Sequence, residues 1–228
     1  MSKFTKLVGG AFAVGVLVLS IGVGPAAANS TPLGSTQIVS TEQSWQTCQD
    51  PLIESPYAPF GDSRDYVLAP GGSFEQPGTP GWQLSAGASV APGDDTFTAA
   101  DKIITSHADG SMLQLSSGAT AISPAMCVDL NYPLFRFTSR AITTPDDAEI
   151  QVEVVYPNAS NPAFEELKKF DGRQGDFKAS KWYVSDEIDL KPDLGGSQSG
   201  GRLAALRFTA LKGTWRIDDV YVDPRRHN

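Results

Sequence analysis

Two adjacent carboxylates near the C-terminus, Asp218 and Asp219, interrupt an otherwise regular β pattern. In the run Trp215 to Val222, Trp215 and Ile217 alternate as inward residues. If this alternation continued, Asp219 would be buried and the two valines that follow would be exposed. A β-bulge at Asp218-Asp219 would return those valines to the core and crowd the two carboxylates. Such crowding is costly unless a cation or hydrogen bonds offset it. The alternative is that both acids face water at a strand end.

Two further acids, Glu149 and Glu153, alternate along one strand with Gln151 between them on the same face. Paired carboxylates can act as nucleophile and acid, and the spacing superficially resembles the strand of three alternating acids in one class of β-sandwich glycosidases. Gln151 stands where that pattern has an acid, and no aromatic neighbours shape a subsite. A solvated strand face is the better interpretation, because the intervening Ile150, Val152, Val154 and Tyr156 form the opposite, core-facing side. A glycosidase is therefore the least favoured function, and we expect the protein not to be an enzyme.

The histidines and cysteines offer little further chemistry. His107 lies in a turn-like segment, and no Gly-x-Ser-x-Gly motif supplies a nucleophile for it. Cys48 and Cys127 are the only cysteines, and an even count in an exported chain indicates one disulfide. A metal site built from two cysteines with His107 and His227 is the alternative.

Aromatic rings could hold a sugar, because a flat ring matches the apolar face of a pyranose. Trp82 and Trp215 lie in alternating strands and are expected in the core. Trp182, Tyr183 and Tyr57 lie nearer loops and are the candidate ligand platform, although ordinary packing is the alternative for each.

The elements that position these residues are short β-strands. Runs rich in Val, Ile, Phe, Tyr and Trp are broken every eight to twelve residues or so by Gly, Pro, Asp and Asn, which predicts an all-β, antiparallel β-sandwich. Helix-like spacing occurs only over Pro162 to Phe170, where we expect one or two helical turns. We expect one β-sandwich domain over residues 48–228, preceded by a flexible arm over 29–47. The strands are expected at Tyr66-Leu68, Ser73-Phe74, Trp82-Leu84, Ala88-Val90, Met112-Leu115, Met126-Val128, Leu134-Arg140, Ile150-Tyr156, Trp182-Val184, Leu203-Phe208 and Trp215-Val222.

The first 28 residues have the pattern of a cleaved signal peptide. Lys3 and Lys6 precede an apolar run, and Ala26 and Ala28 supply the small residues that signal peptidase requires, so we expect a mature N-terminus at Asn29 and a secreted protein. The chain has 26 acidic against 18 basic residues and no basic cluster, which disfavours nucleic acid as a partner. We expect a monomer that does not insert into a membrane after cleavage.

Two segments resemble the opening and closing strands of jelly-roll domains found in carbohydrate-binding modules. The run YVLAPGGSFEQPGTPGW, Tyr66 to Trp82, is similar to the first, and TWRIDDVYVDP, Thr214 to Pro224, is similar to the last. With the segments ATAISPAMCV and LFRFTSR, the chain from about Cys48 onward also resembles a family of uncharacterised bacterial secreted proteins. The resemblance implies a jelly-roll-like fold and a weak, non-catalytic affinity for an extracellular polysaccharide or cell-wall glycan. A structural or protein-contact module of the cell envelope is the alternative.

The same resemblance implies a structural Ca²⁺ site, since an early Glu and a late Asp share a calcium in such jelly rolls. Glu75 matches the early position and Asp218 the late one, with Asp219 as its substitute, and carbonyl oxygens of residues 71–73 could complete the shell. Zinc is disfavoured because no His or thiolate is near either motif in the sequence.

Overall fold

The computed structural model describes residues 53–75, 81–93, 110–129, 131–143, 147–159, 162–171, 182–191 and 201–225. The predicted signal peptide, the arm over 29–47, Cys48, His107 and His227 lie outside the described residues. Those that are described belong to one compact unit spanning 33–228. Among the described residues, no helix is long and apolar enough to cross a membrane.

The described chain folds into two antiparallel β-sheets that enclose one main core, as the spacing of short apolar runs predicted. The strands are β1 (Ile53–Glu54), β2 (Asp65–Leu68), β3 (Gln83–Leu84), β4 (Ala88–Pro92), β5 (Ser111–Leu115), β6 (Thr120–Ile122), β7 (Met126–Asp129), β8 (Leu134–Ala141), β9 (Glu149–Val155), β10 (Glu165–Asp171), β11 (Tyr183–Val184), β12 (Ile188–Asp189), β13 (Gly201–Lys212) and β14 (Trp215–Arg225). A 3₁₀ turn, Ala58–Phe60, follows β1.

One sheet has eight strands and the other six. The eight-stranded sheet has the order β1-β2-β14-β5-β4, and β8 pairs with β14 on one side and with β11 and β12 on the other. The six-stranded sheet has the order β10-β9-β13-β6-β3, and β7 also pairs with β13. The β-sandwich fold class predicted from the sequence is therefore confirmed.

Alternation along the strands divides each sheet into a core side and an outer side. In β9, the predicted inward residues are all buried, from Ile150 and Val152 at 0% exposed to Tyr156 at 4% just after the strand. The core also contains Phe135, Phe137, Phe208, Trp82 and Trp215. Each sheet consequently has an outer face, which we call the six-strand face and the eight-strand face.

The predicted β-bulge at Asp218-Asp219 is present. Asp218 pairs with Thr138 of β8 and Tyr221 pairs with Arg136, so β14 has one extra residue between these pairs. Asp219 has a φ of 50°, and Val220 and Val222 return to the core as predicted. The alternative, in which both acids face water at a strand end, is wrong, since Asp218 is 1% and Asp219 2% exposed.

Two local predictions are also wrong. The segment around Phe164 to Phe170 is not helical but forms the edge strand β10, because Phe170 pairs with Ile150 and buries its ring in the core. The expected strand at Ser73-Phe74 is a turn, in which Phe74 has a φ of 55°.

Candidate functional site

The six-strand face presents a row of cross-strand pairs over five strands, in which every residue except Ile122 is polar. Direct cross-strand pairs place Glu166 beside Glu153, Glu153 beside Arg207, and Arg207 beside Ile122, which in turn pairs with Gln83. Directly paired residues point to the same side of a sheet. Since the alternate residues of β9 and β13 are in the core, this row faces outward.

Arg207 is the fixed centre of that row. Its Nε and Nη2 each donate a 2.6 Å hydrogen bond to the two carboxylate oxygens of Glu153. The guanidinium carbon lies 4.0 Å from the centroid of the Phe164 ring, which packs with a small outer apolar cluster. The guanidinium is thus held on two sides, while its third nitrogen, Nη1, makes no hydrogen bond within the described part of the chain.

A second polar row runs beside the first. Lys169 pairs with Gln151, Gln151 with Thr209, and Thr209 with Thr120. Gln151, Thr209 and Thr120 are half-buried, so each keeps part of its polar side chain accessible to solvent. Together the two rows, which we call the polar rows, offer amide, hydroxyl and guanidinium groups on a flat surface.

The acid pattern of β9 is not the solvated face that the sequence predicted. Glu153 is only 7% exposed because Arg207 covers its carboxylate, whereas Glu149 and Gln151 are half-buried. Glu149 pairs instead with the exposed Lys212, at 2.9 Å. The pattern of β9 alone does not identify the partner of Glu153, because Arg207 lies on a different strand, β13.

The three predicted platform aromatics do not form a platform. Tyr57 is fully buried and Trp182 is 7% exposed, while Tyr183 is half-buried and packs against the main core. Among the described residues, the exposed aromatic is Tyr132, at 39%. The positions of these aromatic residues in the sequence could not show which of them are exposed, because burial depends on what covers the outer side of a sheet.

The segment around the 3₁₀ turn covers part of the eight-strand face. Tyr57, Tyr66 and Tyr221 form an edge-to-face cluster with centroid distances of 5.0 to 6.4 Å, and all three are fully buried. The Tyr57 hydroxyl donates to the carbonyl of Asp219 at 3.2 Å, and the Tyr221 hydroxyl donates to Glu54 at 2.9 Å. This cluster ties β1 and the turn to the last strand.

Asp62 is the polar centre of the same region. Its carboxylate accepts hydrogen bonds from Arg64, from the Tyr66 hydroxyl at 2.5 Å and from Arg136 at 2.9 Å. Burial alone would raise the pKa of Asp62, but the hydrogen bonds from Arg64 and Tyr66 outweigh it and hold the pKa well below its usual range. Arg136 also lies over the Tyr57 ring at 4.7 Å and donates to the carbonyl of Ser185. Asp62 therefore links the turn to β8.

Within the described residues, the predicted calcium ligands do not form a cluster of three acidic side chains. Glu75 accepts hydrogen bonds from the amides of Gly110 and Ser111, at 3.0 and 2.8 Å. The turn before Glu75 is joined to β14, because Ala69 donates to the carbonyl of Val220 and Val220 donates to that of Gly72. Within the described residues, no three His, Cys, Asp or Glu side chains could hold one metal ion. A site with one Asp, Glu75 and carbonyl oxygens stays a prediction.

Cys127 lies on β7, where it pairs with Leu203 of β13. It carries no free thiol and is disulfide-bonded. Its predicted partner Cys48 lies outside the described residues, so the pairing stays a prediction.

The fold and the two outer faces define an antiparallel β-sandwich with a polar sheet surface, and solved structures with a similar fold are carbohydrate-binding modules. The chain is 12% identical to the CBM22-1 xylan-binding domain of Paenibacillus barcinonensis Xyn10C, over 68% of this chain and 93% of that one, with a TM-score of 0.41. It is 14% identical to the family 11 module of Clostridium thermocellum in complex with a β-1,3-1,4-mixed-linked tetrasaccharide, over 68% and 95%, with a TM-score of 0.41. It is 10% identical to the C-terminal CBM6 of LamC from Zobellia galactanivorans, over 62% of this chain and 90% of that one, with a TM-score of 0.36.

No family model matches the chain, and no curated protein matches it. The structural similarities agree with the predicted resemblance to carbohydrate-binding modules, but at these identities and TM-scores they assign no ligand to this chain. The resemblance to a family of bacterial secreted proteins stays a prediction.

Proposed function

We propose that this protein is a secreted, non-catalytic domain that binds a polysaccharide on its six-strand face. The observation that carries the proposal is the arrangement of Arg207, which Glu153 and Phe164 hold rigidly while Nη1 is left to donate. A donor fixed before binding loses little conformational entropy when a ligand arrives. The affinity of a single hydroxyl contact is small, so such preorganisation matters most for weak ligands.

The chemistry of the polar rows suits hydroxyl-rich ligands. Gln151, Thr209, Thr120 and Gln83 can each donate and accept hydrogen bonds, as sugar hydroxyls can. Neighbouring strands lie about 4.8 Å apart, so five strands span roughly 19 Å, which is enough for several linked sugars. Charges in this area are balanced by pairing, as in Lys169 with Glu166 at 2.9 Å, which favours a neutral glycan.

The state of Glu153 supports a non-catalytic function. A retaining or inverting glycosidase needs two carboxyl groups free to meet the scissile bond. Both oxygens of Glu153 accept hydrogen bonds from Arg207, and position 151 on the same face is an amide. Turnover of a polysaccharide that depended on Glu153 would contradict this part of the proposal.

The alternative function, a structural or protein-contact module of the envelope, is favoured by one observation. Sugar-binding surfaces usually contain exposed aromatic rings. In the described part of the chain, the only exposed aromatic side chain is Tyr132, which lies in the turn between β7 and β8 and not in the polar rows. Lack of binding to any glycan, with retention on protein components of the envelope, would support this alternative.

Affinity electrophoresis and calorimetry of the mature protein against insoluble and soluble polysaccharides test the proposal. Arg207→Ala and Gln151→Ala should each weaken binding, Arg207→Ala by about tenfold, the value of one charge-assisted hydrogen bond. Asp186→Ala is the matched control, since Asp186 is exposed and follows β11 of the other sheet. Unchanged binding by both face variants would overturn the assignment of the face.

We also propose a structural Ca²⁺ ion that joins the turn before β3 to β14. Glu75 with Asp218 or Asp219 would hold it, and carbonyl oxygens of residues 71–73 would complete its shell. The backbone hydrogen bonds between the turn and Val220 support this placement, because they keep the two segments side by side. The ion would add stability and take no part in ligand chemistry.

A further inference from the structure

Two arginines lie directly opposite each other on the eight-strand face. Arg216 of β14 pairs in register with Arg140 of β8, and their strand neighbours Trp215, Ile217 and Ala141 are in the core. Both guanidinium side chains therefore extend from the outer side of the sheet. Like charges directly opposite each other on neighbouring strands destabilise a sheet.

Neither arginine has a carboxylate partner among the described residues. The ion pairs of that part of the chain involve other side chains. Arg216 donates from Nε to Gln114 at 3.3 Å, while the Nε of Arg140 is buried and makes no hydrogen bond. A buried donor without an acceptor costs free energy in the folded state.

Arg136, four residues before Arg140 on the same face, provides an internal comparison. It is fully engaged, with Asp62, the carbonyl of Ser185 and the Tyr57 ring as partners. Among the described residues, Asp62 is a counterion for Arg136, whereas Arg140 forms no ion pair. Asp218, two residues after Arg216 on β14, lies on the same face, and its Oδ1 accepts a hydrogen bond from the amide of Asp219 at 2.9 Å.

Polar and small groups surround the pair. Gln114 lies beside Arg216 on β5, and Ser89 pairs with Gln114 on β4. Thr138 lies beside Arg140 along β8, and its buried hydroxyl makes no hydrogen bond. Gly93 also lies close to Nη1 of Arg216, since a Cβ atom built there would be 3.7 Å from that nitrogen, an ordinary van der Waals distance.

We propose that Arg140 and Arg216 form an oxyanion-binding site on the eight-strand face, with a carboxylate or a phosphate as the ligand group. Two guanidinium groups in one cross-strand pair can each donate to different oxygens of one such anion. The anion would relieve the repulsion between the arginines and accept from the buried Nε of Arg140. The site is separate from the six-strand face, so it stands whether or not that face binds sugar.

Chemical-shift titration of the folded protein with inorganic phosphate, galacturonate and galactose tests the site and separates the two sources. Binding of galacturonate but not phosphate identifies a carboxylate ligand, and binding of phosphate identifies a phosphate ligand. Galactose should not bind here because it lacks the charge. Arg140→Gln and Arg216→Gln should each lower the affinity for the anion by about tenfold or more. If neither anion perturbs residues around the pair, the proposal is wrong.

Lys212→Gln is the matched control, because it removes one positive charge from an exposed side chain of the other sheet. An equal loss of anion affinity in Lys212→Gln would indicate general charge attraction and overturn the site. Thermal melts at low salt separate a binding role from a structural one. Arg140→Gln and Arg216→Gln should melt at or above the wild-type temperature without anion, since repulsion is relieved, whereas lower melting would identify the arginines as structural and contradict the proposal.

Discussion

Arg207 holds both carboxylate oxygens of Glu153 across two neighbouring strands, at 2.6 Å each. The pair lies on the outer side of the sheet but is largely shielded from water, since Glu153 is 7% exposed. Shielding strengthens a charge-assisted pair and makes its loss expensive, because the remaining partner stays in a poorly solvated place.

Glu153→Gln should weaken polysaccharide binding although the side chain need not touch the ligand. The amide replaces one of the two acceptor oxygens with an NH₂ donor, so it cannot keep the two-oxygen pairing with Arg207. The guanidinium then loses its fixed position, and stability should fall by about 2 kcal/mol. Glu149→Gln is the control, because its partner Lys212 is exposed and such pairs contribute little. Calorimetric affinity and thermal melts measure both effects. Equal effects of the two variants would contradict this account.

Acid should destabilise the protein partly through Asp62. The pKa of this carboxyl lies below its ordinary value of 3.8 in the folded state, so its ionised form favours folding. That contribution is complete above about pH 5 and is lost as the pH falls below the ordinary value. Asp62→Asn should lower the melting temperature at pH 7 and reduce its further fall between pH 5 and pH 3. A variant with the wild-type slope would exclude Asp62 as a source of the acid sensitivity.

Alkali should not ionise Tyr66 or Tyr221 while the protein is folded. Burial is the largest cause that raises the pKa of both phenols. The hydrogen bond to Asp62 raises the pKa of Tyr66 further, and the charges of Asp219 and Glu54 raise that of Tyr221. Both raised values predict stability that is fully present below pH 10 and lost as the pH rises further. Ultraviolet titration should find at least two tyrosines that ionise only on unfolding, and Tyr221→Phe should lower that number by one. Normal titration of all tyrosines would refute the buried cluster.

Calcium removal should lower the melting temperature by several degrees if the proposed ion is present. A dissociation constant near 10 μM at millimolar calcium corresponds to about 2.7 kcal/mol of stabilisation by mass action. Glu75→Gln and Asp218→Asn should abolish the response to EDTA, and Glu187→Gln, at an exposed acid that pairs with Arg64, should keep it. Identical melts in EDTA and calcium would exclude the ion.

Removal of the predicted disulfide should destabilise the sandwich without changing its strand content. Replacing both Cys48 and Cys127 by alanine should cost a few kcal/mol, on the scale of roughly 2 to 5 kcal/mol for a natural bridge. Melting curves and far-ultraviolet circular dichroism measure the two quantities. Loss of the β spectrum at room temperature would mean that the bridge is required for folding.

The features that could be predicted from the sequence are those with strong local patterns. The alternation of β9 placed Ile150 and Val152 correctly, and the slip at Asp218-Asp219 correctly indicated a bulge. The edge strand β10 was mistaken for helical turns because its own bulge, between Glu166 and Lys168, breaks the alternation of two that identifies a strand.

The site residues were harder to predict because they depend on contacts between distant segments. The partners Glu153 and Arg207 are 54 residues apart, and only the pairing of β9 with β13 brings them together. Tyr57 looked like a loop residue suited to a ligand, but Tyr66 and Tyr221 bury it. Sequence spacing gives no information about which segment covers the outer side of a sheet.

The central position of β14 also has a consequence for biosynthesis. This strand lies between β8 on one side and β2 and β5 on the other, so three strands lack one of their neighbours until residues 215–225 are available. A partly synthesised chain therefore cannot close the eight-stranded sheet, and its long-range pairings form late. For the secreted protein proposed above, such a delay would keep the polypeptide unfolded during export, and folding would be completed only after β14 has emerged.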